Sequence, residues 1–225
     1  ASSDCGAADV FERLGVNIQV NEQRSKAMLD KIGLCFLFAQ NYHISMKYVA
    51  PVRKELGIRT VFNILGPLAN PAGASLQLMG VYDESLIVPL AQVMTNLGVK
   101  RGMVVCGEDG MDEITLTGET HICEVQDGTF THYSITPEQF SLKRCRGEDL
   151  TGGNAEENAE ITRSILSGKL QGPKRDIVLL NSGCALYIAG KASTIAQGIE
   201  LSREAIDSGK ALQQLEAFVK LSNEE

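Results

Sequence analysis

Basic residues are in short supply. Lys and Arg total 21 against 28 Asp and Glu, for a net charge of -7, and no segment gathers them into the phosphate-tracking surface that a nucleic acid requires. A nucleic-acid partner is not expected. The six cysteines, Cys5, Cys35, Cys106, Cys123, Cys145 and Cys184, include no CxxC pair. This argues against a zinc cluster or a disulfide scaffold and fits a reducing cytoplasm, with most of them read as small buried apolar residues. No apolar run approaches the roughly 18 to 20 residues that span a bilayer, and the opening Ala1 to Gly6 lacks the basic-then-apolar order of a signal peptide. P-loop, HExxH and GxSxG motifs are missing, and no Cys-His or Ser-His pair is close enough in sequence to suggest covalent catalysis.

What is there is a core-forming chain. Of 225 residues, 44% are hydrophobic, enough for one large domain and too many for disorder. No initiator Met is present, and Ala1 to Gly6 lead straight into a helical segment, Ala7 to Leu14, with Val10, Phe11 and Leu14 on one face. That reads as the start of an interior piece of a longer protein.

From there helix and strand signals alternate. Glu22 to Ile32 reads as an amphipathic helix and the apolar run Leu34 to Phe38 as a strand covered on both faces. Leu78 to Tyr82, Leu86 to Leu97 (closed by Gly98) and Met103 to Cys106 form a strand, a helix and a strand, a βαβ unit. Asp176 to Leu180 reads as a further strand, and Cys184 to Ala189, Ile195 to Ile206 and Ala211 to Leu221 as helices. Between them, Ile114 to Tyr133 is expected to be an antiparallel excursion: Glu113 to Thr117, His121 to Val125 and Phe130 to Tyr133 are short alternating runs, parted by Gly118 and the Asp127-Gly128 turn. The expectation is a single α/β domain over 1–225, with a mixed, mostly parallel central sheet flanked by helices and a small antiparallel excursion.

Several segments have the residues for chemistry. Gly57 to Pro71 packs Pro67, Pro71 and Gly66 near Asn63 and Asn70; it makes either a rigid binding wall or an ordinary turn. Arg53 is a candidate carboxylate anchor, since its planar fork donates two parallel hydrogen bonds, unless it is a solvated helix-surface arginine. His43, one of three histidines, either bonds a substrate or is satisfied by backbone. After the Met103 to Cys106 strand, Glu108, Asp109, Asp112 and Glu113 fall where ligands bind in open α/β sheets. Asp112 and Glu113, being adjacent, belong on a loop rather than a strand and suit Mg²⁺, which keeps much of its water and takes one or two carboxylates; an acidic surface loop is the alternative. Ser2 and Ser3 either cap the first helix or bind a phosphate. Leu150 to Ala159 reads as a glycine turn, an Asn154 or Thr151 cap and a glutamate-rich first turn.

Taken together, these residues resemble the anthranilate phosphoribosyltransferases over nearly the whole chain. The resemblance is carried by Gly6 to Val10 with Leu14-Gly15, by Tyr42-His43 through Arg53, by Gly57 to Pro71, by Met111 to Gly118, and by the tail from Gly152 to Lys210. It implies the nucleoside phosphorylase and phosphoribosyltransferase class of α/β fold, and transfer of a phosphoribosyl group from phosphoribosyl diphosphate to anthranilate. It also implies Arg53, His43 and Pro67 at the anthranilate, Asp112 and Glu113 at Mg²⁺, and Ser2, Ser3 and Ala7 along the phosphoribosyl diphosphate. The family's amino-terminal helical domain, which supplies its homodimer contact, is absent, as are its Gly-Thr-Gly-Gly-Asp loop and Lys-His-Gly-Asn-Arg segment. Ala7 stands where a phosphate-binding Ser is usual, Ile44 where Pro is usual and Asn154 where Asp is usual. A fragment poorly active alone is the first expectation. A noncatalytic binding module on the same fold and a relative of the pyrimidine nucleoside phosphorylases are the alternatives.

Overall fold

A computed structural model describes residues 5–43, 48, 55 and 62–224. In chain order the helices are α1 (Ala7–Arg13), α2 (Glu22–Ile32), α3 (Ala39–Tyr42), α4 (Phe62–Leu68), α5 (Ile87–Asn96), α6 (Gly147–Leu150), α7 (Ala155–Leu166), α8 (Pro173–Ile188), α9 (Ile195–Asp207) and α10 (Lys210–Asn223). The strands are β1 (Leu76–Gly80), β2 (Arg101–Gly107), β3 (Thr120–Gln126) and β4 (Thr129–Ile135). Two compact units emerge: one comprises 1–71, 152–168 and 208–225, the other 72–151 and 169–207. Among the described residues no helix is long and apolar enough to cross a membrane.

In the first unit, α2 starts where the Asn21 side chain accepts the Arg24 N–H and stops at Gly33, whose left-handed backbone (φ 69°) closes the last turn. Met28 on α2, Phe218 on α10 and Val16, Ile18 and Val20 of the segment between α1 and α2 form a buried core. Leu34 to Phe38 is not a strand. It pairs with no ladder, and its aromatics fill this core instead: Phe36 lies 5.0 Å from Phe11 and stacks on Phe38, while Phe11 meets Phe218 edge-on. A short apolar run says that a segment is buried without saying what buries it.

In the second unit the sheet runs β1-β2-β3-β4. The expected βαβ unit is present, with β1 parallel to β2 and α5 between them. The sheet is mixed and flanked by helices, as expected, but its balance is reversed: one pair is parallel, and β2–β3 and β3–β4 are antiparallel. The hairpin forms because Asp127 and Gly128 both take positive φ (47° and 82°), the turn whose twist matches its strands. Glu113 to Thr117 makes no strand and belongs to a loop.

Asp176 to Leu180 is also not a strand. It lies inside α8, which starts at Pro173 and continues through Cys184 to Ile188, so the strand and helix expected there are one helix. Leu179, Leu180 and Cys184 are at most 1% exposed, and a helix buried this deeply presents the same unbroken apolar run as a central strand. Gly183 of α8 and Gly198 of α9 bring the two backbones together, since a Cβ on Gly198 would sit 2.2 Å from the Gly183 carbonyl oxygen.

Candidate active site

The buried strand β2 ends at Gly107 and opens into an acidic loop. Of the four carboxylates in its first half, two are used to fold it. The Asp109 carboxylate accepts from the hydroxyls of Thr115 (2.9 Å) and Thr117 (2.6 Å) and from the Met111 N–H (3.0 Å). Partial burial works to raise its pKa, but these bonds, that of Thr117 foremost, outweigh it and hold the group below the usual carboxylate range. Glu108 ties the loop's far end, its N–H donating to the Glu119 carbonyl and its carboxylate accepting the Glu119 N–H.

Asp112 and Glu113 are the other two. Both are exposed on bends of the loop, and among the described residues neither carboxylate has a hydrogen bond or ion pair. Glu113 reaches solvent, yet protein crowding about its carboxyl raises its pKa, with the adjacent Asp112 charge adding to the effect. Two neighbouring carboxylates with no internal partner form an oxygen-only donor set that a cation would relieve. Among the described residues no cluster of three or more His, Cys, Asp or Glu could hold a metal; an ion on these two carboxylates alone would draw most of its ligands from water.

The pair is fixed through backbone. Gly80, at the end of β1, has no side chain because the loop lies on it: a Cβ there would come within 1.6 Å of the Asp112 carbonyl oxygen. On the other side of the pair, Asn181 of α8 donates to the Ile114 carbonyl (2.9 Å) and accepts the Ile114 N–H (3.1 Å). The sequence places Asp109 in the ligand-binding acidic cluster without marking it as the residue that folds the loop, and it gives no role to Asn181 or Gly80. A glycine inside a strand pattern is the one local signal, for Gly80.

In the first unit, His43 and Pro67 come together. They line a pocket of about 260 Å³ with Leu37, Ala39, Tyr42 and Gly66, closed by Asn70 and Pro71. The single turn of α3 is anchored below it, because the Tyr42 hydroxyl donates to the buried Ser25 (2.9 Å) and the Asn41 amide reaches the Ile18 and Val20 carbonyls. His43 follows as the C-cap, its N–H bonded to the Ala39 carbonyl at 2.8 Å. Pro67 lies within α4. Ala7 is the exposed first residue of α1, behind Gly6, whose N–H donates to the Asp9 carboxylate at 2.8 Å. Arg53, Ser2 and Ser3 lie outside the described residues.

The first unit thus has a pocket lined by His43 and Pro67, and the second an α/β sheet whose strand β2 leads into the acidic loop. Residues 1–212 match the glycosyl transferase family, a/b domain, and the chain belongs to that family. It is 59% identical over 223 residues to a Methanobrevibacter smithii protein named anthranilate phosphoribosyltransferase, covering 99% of this chain and 66% of the relative. The crystal structure of anthranilate phosphoribosyltransferase from Thermus thermophilus superposes with a TM-score of 0.93 at 44% identity, over 100% of this chain and 66% of that one. The Saccharomyces cerevisiae enzyme of the same name, in complex with PRPP and Mg, gives 0.90 at 29%, over 96% and 62%. The chain therefore spans slightly less than two thirds of the length of these relatives.

Proposed function

We propose that this chain is the α/β domain, a single domain over 1–225, of a two-domain anthranilate phosphoribosyltransferase. The reaction transfers a phosphoribosyl group from phosphoribosyl diphosphate to the amino group of anthranilate and releases diphosphate, a step of tryptophan biosynthesis in the cytoplasm. The observation that carries the proposal is the 59% identity extending over 99% of the chain; a module merely derived from the fold would not be expected to keep so much of an enzyme's sequence.

The chemistry asks for a departing anion to be stabilised and an amine to be held close, and no covalent nucleophile is needed. Asp112 and Glu113, adjacent, exposed and without internal partners among the described residues, would hold Mg²⁺ or its waters at the diphosphate. When bound, the ion screens the charge that builds on the leaving group. Arg53 would pair with the anthranilate carboxylate through a two-pronged hydrogen bond. His43 and Pro67, which share one pocket, would wall the ring and orient its amine. Ser2, Ser3 and Ala7 would lie along the phosphoribosyl diphosphate, with Ala7 contributing backbone only. In the family, the remaining length supplies the glycine loop that cradles the diphosphate and the helical domain through which homodimers form. The 225 residues alone are thus expected to be weakly active or inactive.

The test follows the loss of anthranilate fluorescence on addition of phosphoribosyl diphosphate, with and without Mg²⁺. It compares the 225-residue chain, the chain joined to the family's amino-terminal portion, and an Arg53→Ala variant of the joined protein. Mg²⁺-dependent turnover in the joined protein, lost in the variant, is the expected result. Phosphate-dependent nucleoside cleavage instead, or no turnover in the joined protein, overturns the proposal.

A further inference from the structure

Asp112 and Glu113 lie on an exposed loop, yet a metal site needs its ligands held to within a fraction of an ångström. The side chains of the pair provide no such restraint themselves, so it has to come from the backbone on either side. On the amino side the Asp112 carbonyl lies against Gly80, where a Cβ would have no room. On the carboxyl side Ile114 is fully buried, and both of its backbone polar groups are bonded by one side-chain amide, that of Asn181.

That amide is itself held. Asn181 sits in mid α8, and its Nδ2 also donates to the Ile177 carbonyl one turn back, at 3.0 Å. Both hydrogens of the amide nitrogen therefore have an acceptor, and the oxygen has a donor. With O and N fixed in this way the amide cannot flip without losing all three bonds. The clamp links a rigid helix to the residue directly after Glu113, across 67 positions of sequence.

We propose that Asn181 is a positioning residue for the Asp112-Glu113 pair: by clamping both backbone groups of Ile114, it sets the direction in which the two carboxylates meet a divalent cation. The inference rests on the proposed function for the identity of that cation, whereas the clamp itself rests on geometry alone. Removing the amide leaves the Ile114 N–H and C=O buried without a partner, which favours a shift of the loop toward water. Supports of this kind typically change metal affinity by about 10- to 100-fold.

The experiment compares wild type, Asn181→Ala and the near-isosteric Asn181→Asp in the protein joined to the family's amino-terminal portion. Asn181→Asp keeps the acceptor but loses both donors, and it serves where the alanine variant does not fold. Three quantities are read: protection of the Ile114 amide from hydrogen exchange, Mn²⁺ affinity in the presence of phosphoribosyl diphosphate by paramagnetic resonance, and the Mg²⁺ concentration for half-maximal turnover. The expected result is a fall of at least about tenfold in Ile114 protection in Asn181→Ala and of about tenfold in Mn²⁺ affinity in both variants. The Mg²⁺ requirement rises in parallel, while the KM for anthranilate is unchanged. Unchanged Mn²⁺ affinity in a folded variant, or a KM for anthranilate that rises as much as the metal requirement, overturns the positioning role. A wild type that neither binds Mn²⁺ nor turns over defeats the functional reading, and with it this one.

Discussion

In the acidic loop the fixing contacts are polar and directed. Asp109 gathers two hydroxyls and an N–H, Glu108 closes on Glu119, and the Asn181 amide bonds both the N–H and the C=O of Ile114. The pocket containing His43 and Pro67 is shaped differently: Leu37, Ala39, Gly66 and two prolines give it form by bulk and restricted backbone, and the α3 turn beneath is anchored by polar bonds. The difference suits the tasks proposed for them. A cation needs oxygens at fixed points, so its site tolerates little displacement. A flat aromatic acid needs a slot, which yields slightly without failing. Substitutions should therefore act sharply in the loop and gently in the pocket.

The largest effect is expected at Gly80→Ala. The new methyl would overlap the Asp112 carbonyl, at 1.6 Å from its oxygen and 2.3 Å from its carbon, and since both are backbone no rotamer change relieves the clash. Either β1 or the loop has to shift, at a cost of about 1 to 3 kcal/mol. If the loop gives way, displacement of the pair by an ångström should lower Mg²⁺-dependent turnover on the order of 100-fold. Thermal melting beside fluorescence-detected turnover, each in the protein joined to the family's amino-terminal portion, checks both. A variant with wild-type melting and turnover would mean that the loop is not held against β1, and the contrast with the pocket would disappear.

Local signals carry the reading only where the cause is local. The limits of α2 follow from Asn21 and Gly33, which satisfy the two ends of the helix from adjacent residues, and the β3–β4 hairpin follows from Asp127-Gly128. The first half of α8 and the segment from Leu34 to Phe38 both read as strands and are not, for one shared reason: each is an apolar run whose burial comes from distant chain, and the run itself does not say whether helices, strands or stacked rings cover it. The site divides the same way. Adjacent carboxylates after an apolar strand announce Asp112 and Glu113 and require a loop for them, whereas the separation between Asn181 and Ile114 leaves no local trace of the clamp. That Glu108 and Asp109 fold the loop while Asp112 and Glu113 stay available is equally hidden, because it depends on where Thr115 and Thr117 turn their hydroxyls.

A middle-sized effect separates those roles by pH. Asp109 has a depressed folded pKa, so the stability it contributes is fully present above its ordinary value of 3.8 and is lost as pH falls through the depressed one. Asp109→Asn should cost about 1 kcal/mol near neutrality, after allowance for its exposure, and the gap to wild type should close in acid. Glu113 has a raised folded pKa, so its linkage runs the other way: its contribution is complete below its ordinary 4.5 and is lost as pH rises through the elevated value. Glu113→Gln should therefore leave neutral-pH stability unchanged or raise it by a few tenths of a kcal/mol. Urea melts at several pH values decide the matter, and curves of the same sign for the two variants would erase the distinction between a carboxylate that folds the loop and one left free to serve it.

The smallest effect belongs to the pocket. His43 is held through its backbone, by the Ala39 carbonyl, and α3 is anchored by Asn41 and Tyr42, so His43→Ala should leave the turn and the wall in place and remove only the ring and whatever hydrogen bond it offers. One such bond to a neutral group is worth about 1 kcal/mol, which corresponds to a KM for anthranilate roughly fivefold higher. The Mg²⁺ requirement and the melting temperature should not move, in contrast to Gly80→Ala, where both do. A shift in the Mg²⁺ requirement at His43→Ala would show that ring binding and ion binding are coupled, and the division of labour between pocket and loop would have to be replaced by a single cooperative site.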